Sequence, residues 1–252
     1  MVSRTKPSLK GRVTQERIAS LAVAFTYFFR DSQTLETAID GALPAMCGQA
    51  FIHIWDAGCA HGPEPYTLAI LLRERMSDFI LRNVRIHATD VDAHFAPQIR
   101  SGVFAEHEVQ RVPPEILRRH FRPAAQAGFV EVLPELRAKI TFSHHDLLSL
   151  RPVREGLSLI VCKNVLLHFD EGQRIRVLRM FHEALQPGGM LVMEQTQKLP
   201  ELLAARFQQA SPRVQAFRKL MPALVEHRAE ERLAHQHGHG RVEAPAALRQ
   251  RP

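Results

Sequence analysis

Four short polar signals in this chain fall where an apolar run gives way to a turn. Their residue types suit the holding of a nucleoside. The first is Asp56-x-Gly58-x-x-x-Gly62. Its glycines would let backbone approach a ligand closely, and the helix that follows would offer unpaired N–H groups. The spacing is not GxGxxG, and the Lys-Ser/Thr of a phosphate loop is missing, so a nucleoside without pyrophosphate fits better than NAD or ATP. The second is Asp90, which closes the next apolar run. A carboxylate there can accept from both hydroxyls of a ribose, though a turn or helix cap would use the same residue. The third is Asp146, whose carboxylate could accept from an adenine amine. The fourth is Lys163-Asn164, directly after the run Leu157–Cys162. An idle amide flanked by Val161, Cys162, Val165 and Leu166 would be costly, so Asn164 is expected to hold something polar.

These signals need a scaffold that brings strand ends together. Phe51–Trp55, Val84–Ala88, Leu157–Cys162 and Met190–Met193 read as strands. Between them, Pro63–Met76 reads as a helix with proline in its opening turn. Ala93–Ser101 and a short stretch from Pro113 to Phe121 also read as helices. Asp170 with Gln173 forms a capping box ahead of a helix whose face is Ile175, Leu178, Phe181 and Leu185. Phe129–Val132 and Ile140–Phe142 read as two strands around a turn. Residues 14–45 read as helices broken near Gly41 and Pro44, and residues 201–225 as one or two further helical stretches. The alternation of strand and helix predicts an α/β, Rossmann-like, doubly wound, mostly parallel sheet. In such a sheet the ligand lies beyond the carboxyl ends of the strands, where all four signals fall.

Composition narrows the class. With 252 residues, 45% hydrophobic and 23% charged, the chain is an ordinary globular one. Three cysteines with no CxxC pair suit a reduced, cytoplasmic protein. No apolar run is long enough to span a membrane. The stretch Ile18–Phe29 looks like a secretion signal, but it carries aromatic pairs, runs straight into Arg30-Asp31 and lacks a small-x-small cleavage site, so a buried helix is expected. A net charge of +7 favours acidic partners. No basic patch laced with aromatics points to nucleic acid. His235, His237 and His239 lie in a polar tail read as disordered, and no metal is expected.

The ordered set of motifs resembles class I S-adenosylmethionine-dependent methyltransferases, and within them the CheR family of chemotaxis-receptor glutamate methyltransferases. Thr26-Tyr-Phe-Phe-Arg30-Asp31 resembles that family's TxFFRD box. Ala57 to Ala69 is similar to AGCSTGEEPYSLA, and Ala88-Thr-Asp90-Val-Asp92 to ATDID. Val112-Pro113 with Arg119-His-Phe121 resembles VP…RYF, and Phe142 with Asp146-Leu147-Leu148 resembles F…NLL. Val161 to Asp170 is similar to FCRNVLIYFD, and Leu185 to Gly189 to LxPGG.

The resemblance implies S-adenosyl-L-methionine as cofactor, held by Thr26, Arg30, Gly58, Gly62, Glu64, Asp90, Asp146, Leu147, Lys163 and Asn164. Thr26 and Arg30 would meet its methionine end, with Arg30 pairing the carboxylate, and Glu64 would bind its amino-acid part. Asp90 would hold the ribose, Asp146 and Leu147 would lie along the adenine, and Lys163-Asn164 would close the pocket near the sulfonium. Arg30, Asn164 and His168 are expected nearest the chemistry. The resemblance further implies methyl transfer to glutamates of an acidic protein, a chemoreceptor's cytoplasmic helix. It also implies an N-terminal helix lidding the cofactor and a small antiparallel β-subdomain at about 121–142 that engages receptor segments. The expected division is a short helical segment (1–45), the methyltransferase domain (46–226) and the tail (227–252).

Some positions depart from the family pattern. Ala24 stands for asparagine, Asp146 for asparagine, Lys163 for arginine, His168 for tyrosine, and Glu194-Gln-Thr-Gln197 for GHSE. Residues 1–25 are few where the family carries a helical receptor-docking domain. These departures bear more on the acceptor than on the cofactor, and His168 could act as a base for a different one. A methyltransferase acting on another protein or a small molecule, or a regulator that binds the cofactor without turnover, are the alternative readings.

Overall fold

The computed structural model describes residues 26–221 and Leu224. The helix expected before Thr26, the tail from 227 and its three histidines lie outside the described residues. Thr26–Asp31 itself forms a turn rather than the end of a helix, with Phe29 and Asp31 in the left-handed region (φ 60° and 51°).

Helix α1 (Ser32–Met46) runs through Gly41 and Pro44 instead of breaking there. Proline in the last turn removes only one helical bond. The buried face Leu35, Ala38, Ile39, Ala42 and Met46 supplies the compensating packing. Next come β1 (Ile52–Ala57), α2 (Pro63–Arg75), α3 (Asp78–Leu81), β2 (Val84–Asp90) and α4 (Ala96–Ser101). β3 (Val103–Ala105), α5 (Pro114–His120), β4 (Phe121–Pro123), β5 (Phe129–Val132) and α6 (Pro134–Arg137) form an insertion. The chain then returns through β6 (Ile140–His144), β7 (Leu157–Cys162), α7 (Glu171–Ala184), β8 (Leu185–Met193), α8 (Glu201–Ala204), β9 (Phe207–Gln209) and β10 (Ala216–Lys219). The capping box at Asp170 and Gln173 opens α7.

The main sheet has the order β6-β2-β1-β7-β8-β10-β9. Its first five members are parallel, and β10 and β9 add antiparallel neighbours. The last pair corrects the helical reading of 201–225: after the short α8, Phe207, Ala216 and Phe217 bury into a hairpin. The small sheet, order β3-β5-β4, spans 103–132. Ile140–His144 is not part of it. That strand pairs in parallel with β2, Ile140 opposite Ile86, because Ile140 and Phe142 supply the apolar face that the main sheet buries.

One face of the main sheet packs Ile54, Val84, Ile86 and Val161 against α1 and α2. The other packs Trp55, Ile160, Cys162 and Leu191 against α7. From β1 the chain steps outward to β2 and β6, then returns to β7 on the opposite side of β1. The reversal opens a crevice above the carboxyl ends of β1 and β7.

Candidate functional site

A cleft of about 700 Å3 lies at that reversal. Its wall includes Thr26, Arg30, Gly58, Glu64, Asp90, Asp146, Leu147, Lys163, Asn164 and His168, brought from five separate stretches of chain. Gly62 is not on the wall. It takes φ 114° at the start of α2, and a Cβ there would lie 3.2 Å from Ile99 Cγ1, so its place is one of close packing.

The floor is the turn after β1. Gly58 has φ 93°, and a Cβ on it would overlap Val165 Cγ2. Glycine is required here both by the backbone and by the loop that passes over it. The turn is anchored to β2: Gly58 N and Cys59 N donate to Thr89 O at 2.8 and 3.0 Å, and Ala60 N donates to Asp90 Oδ2 at 3.0 Å. Asp90 Oδ1 accepts from Asp92 N at 3.0 Å. Burial raises the Asp90 carboxyl, and the N–H groups of Asp92 and Ala60 pull against that rise. Asp90 therefore shapes the turn while its carboxylate faces the cleft.

A buried charge cluster stands beside the floor. Lys163 Nζ donates to Glu64 Oε2 at 2.9 Å and to Arg30 O at 3.0 Å, and lies 3.4 Å from Asp31 Oδ2. Burial alone would lower the Lys163 ammonium, but Glu64 and Asp31 outweigh it and hold it above its ordinary value. One ammonium thus ties β7, α2 and the Thr26–Asp31 turn together, which sets Arg30 on the cleft wall. That turn is pinned from behind as well. Phe29 N donates to Thr67 Oγ1 at 3.0 Å, and the fully buried Phe28 packs edge-on against Phe104 and Phe121 of the inserted sheet.

Three acidic residues with a part here were given no role by sequence reasoning. Asp31 joins the Lys163 cluster. Asp56 is fully buried at the end of β1, and neither carboxyl oxygen has a hydrogen-bond partner among the described residues. Burial first, and the neighbouring Glu64 second, push it well above the usual carboxylate range. Glu194, buried at the end of β8, accepts from Asn164 N at 3.2 Å through Oε2. It thereby holds Asn164 at φ 60°. The signal for the two strand-end acids was present in the sequence: each terminates an apolar strand where solvent is absent.

On the opposite wall, Asp146 Oδ1 accepts from Leu148 N at 2.8 Å and so presents the buried Leu147 to the cleft. His168 stands exposed in a short 3-10 turn after Asn164.

A family model described as CheR methyltransferase, SAM binding domain, matches residues 24–215. Chemotaxis protein methyltransferase 2 of Vibrio cholerae is 26% identical over 197 residues, covering 76% of this chain and 68% of that protein. The chemotaxis protein methyltransferase of Escherichia coli is 29% identical over 180 residues, covering 70% of this chain and 62% of that one. Among solved structures, the rRNA methyltransferase AviRa of Streptomyces viridochromogenes aligns at 15% identity and TM-score 0.47, covering 88% of this chain and 99% of that one. With three quarters of its length matched by that family model, the chain belongs to the CheR methyltransferases, enzymes that use S-adenosylmethionine.

Proposed function

We propose that the enzyme methylates glutamate carboxylates of an acidic protein of the chemoreceptor type, in the cytoplasm. The observation that carries this reading is the state of the cleft's own carboxylates. Glu64 is bound to Lys163. Asp90, Asp92 and Asp146 each accept from a backbone N–H of their own turns. Each is thereby tied into the framework of the cleft, an arrangement that suits holding a ligand in place more than taking a proton from an acceptor. A glutamate needs no such help, because its reference pKa lies near 4.3 and it arrives ionised. The surplus positive charge of the chain suits an acidic substrate. The relatives' names, chemotaxis protein methyltransferases, point the same way.

The residues present fit S-adenosylmethionine. The Gly58 turn brings backbone to the cleft wall, Asp90 offers a carboxylate at the β2 end for a ribose, and Leu147 offers an apolar wall for a base. Arg30 would pair the methionine carboxylate, and Glu64 would hold the ammonium. When bound, the cofactor supplies a methyl group on a positively charged sulfur, which an anionic oxygen can take without prior loss of a proton. The chain's part is positioning and exclusion of water. Lys163 fixes the turn that carries Arg30, and Glu194 fixes the backbone of Asn164 at the lip.

The test is transfer of a tritiated methyl from S-adenosylmethionine to a purified chemoreceptor cytoplasmic fragment, followed by base. Label released as volatile methanol supports a carboxyl ester. Label retained after base points to nitrogen methylation and overturns the reading.

A further inference from the structure

Parallel sheets normally carry helices on both faces. Here α1 and α2 cover one face, and the cluster around α7 covers the other over β7, β8, the β9–β10 hairpin and the carboxyl end of β1 (Trp55 and Ala57). The connection from β6 to β7 holds a single 3-10 turn, Leu147–Ser149, where a crossover helix would ordinarily lie. Among the described residues, the α7-side face of β1, β2 and β6 is therefore left partly open toward the amino ends of the strands.

That opening gathers three cations, Arg85, Lys139 and Arg154, around the paired rings of His53 and His87. His53 lies opposite Arg85 in the register, and Arg85 lies beside Lys139, whose carbonyl accepts from Ile86 N at 2.7 Å. The three form one row across the strands. Arg154, from the loop before β7, places Nη1 2.7 and 3.0 Å from the two ring nitrogens of His53. The His53 ring stacks on His87 at 5.3 Å between centroids. Burial, then Arg154, His87 and Arg85, push His53 down to about 4, and burial and Arg85 lower Lys139. No carboxylate is among those causes. Arg85, Lys139 and Arg154 form no ion pair among the described residues. At the edge stands Phe51, 55% exposed, with the Arg85 guanidinium 5.6 Å from its ring centre.

Like charges gathered on a half-buried surface without a counter-charge repel one another, and an incoming anion relieves that repulsion. We propose that this open sheet face docks an acidic segment of a partner protein, with carboxylates on Arg85, Lys139 and Arg154 and an apolar side chain against Phe51. The face is separate from the methyl-transfer cleft, which lies at the opposite, carboxyl ends of the same strands. Its dimensions favour peptide over nucleic acid. The row of His53, Arg85 and Lys139 spans three strands, about 10 Å, and with Arg154 and one exposed aromatic it makes a compact patch, whereas a nucleic-acid strand needs a longer charged track with successive stacking rings.

The experiment measures anisotropy of a fluorescent peptide of glutamates with a central leucine, against the full chain at low salt. The comparison variants are the double charge reversal Arg154→Glu with Lys139→Glu, and a control reversal of equal size, Arg100→Glu with Arg179→Glu. Both control residues are exposed and lie on α4 and α7. Calorimetry with S-adenosylhomocysteine checks that each variant is folded and that the cleft is intact. The expected result is a loss of peptide affinity of about tenfold or more for the patch variant and little for the control, with cofactor-product binding unchanged. Equal losses in both variants, or no binding by the unaltered chain, overturn the proposal. So does a single-stranded oligonucleotide of equal charge that binds more tightly and shows the same patch dependence.

Discussion

Lys163 Nζ and Glu64 Oε2 meet at 2.9 Å with side chains only 1% and 9% exposed, so this is a salt bridge taken out of water. Such a pair contributes little net stability, but removing one partner strands the other charge, at a typical cost of about 3–5 kcal/mol. Lys163→Met should therefore lower the unfolding free energy by about that much and release the Thr26–Asp31 turn that sets Arg30. Thermal denaturation and calorimetry with S-adenosylhomocysteine read the two effects. Lys163→Arg keeps the charge and should retain most of both. Full cofactor-product affinity in Lys163→Met would show that the ammonium does not set the turn.

Asp56 leads to a pH prediction with a definite sign. Its folded pKa is raised by burial and by Glu64, so the native state holds a proton that the unfolded chain releases near the ordinary aspartate value of 3.8. Above that value the native state binds more protons than the unfolded state, and stability falls as pH rises toward the folded pKa. The raised carboxyls of Asp90 and Glu194 act in the same direction. Asp56→Asn removes the Asp56 contribution while keeping shape. Its melting temperature should decline less steeply from mildly acidic to alkaline pH than that of the unaltered protein. Parallel melting curves across pH would refute the raised Asp56 carboxyl.

Gly58→Ala tests the floor of the cleft. The alanine methyl would overlap Val165 Cγ2, and φ 93° strains any L side chain. The backbone cost alone is about 1–2 kcal/mol. Adding Val165→Ala removes the overlap but leaves the backbone strain. The single variant should lose stability and cofactor-product affinity, and the double variant should recover part of each. No recovery would mean that the Val165 contact is incidental.

What the sequence made legible here was local in origin. A glycine-rich turn between an apolar strand and a proline-opened helix announces itself within a dozen residues, and so does the Asp170–Gln173 capping box. The strand-end acids Asp90 and Asp146 followed from the sheet rule once the strands were placed. The misreadings came from distance. Ile140–His144 looks like the partner of Phe129–Val132 because it is the nearest strand-like run, yet its apolar side matches Ile86 and Ala88, some fifty residues earlier. Phe207–Gln209 and Ala216–Lys219 have short apolar runs that periodicity cannot separate from helix. β8 decides the matter by offering an open edge. Lys163 reads as a cofactor contact from its neighbour Asn164, but only the folded chain shows its ammonium engaged with Glu64, Arg30 O and Asp31.

His168 separates an acceptor that arrives ionised from one that must lose a proton. It is the exposed imidazole at the rim of the cleft beside Asn164, whereas the other lining imidazole, His145, is paired through Nε2 with Arg151 O, and each lining carboxylate already accepts a hydrogen bond. If the acceptor is a glutamate, His168→Phe should leave kcat within about tenfold of the unaltered enzyme, because no general-base term of about 10²–10⁴ is lost. The pH profile of kcat/KM should also keep its neutral-range shape, since no imidazole proton transfer contributes to the barrier. Single-turnover methyl transfer across neutral pH, with the unaltered enzyme and the variant side by side, makes the comparison. A fall of several hundredfold together with loss of a titration near neutrality would assign His168 as a base and move the acceptor to a hydroxyl or amine.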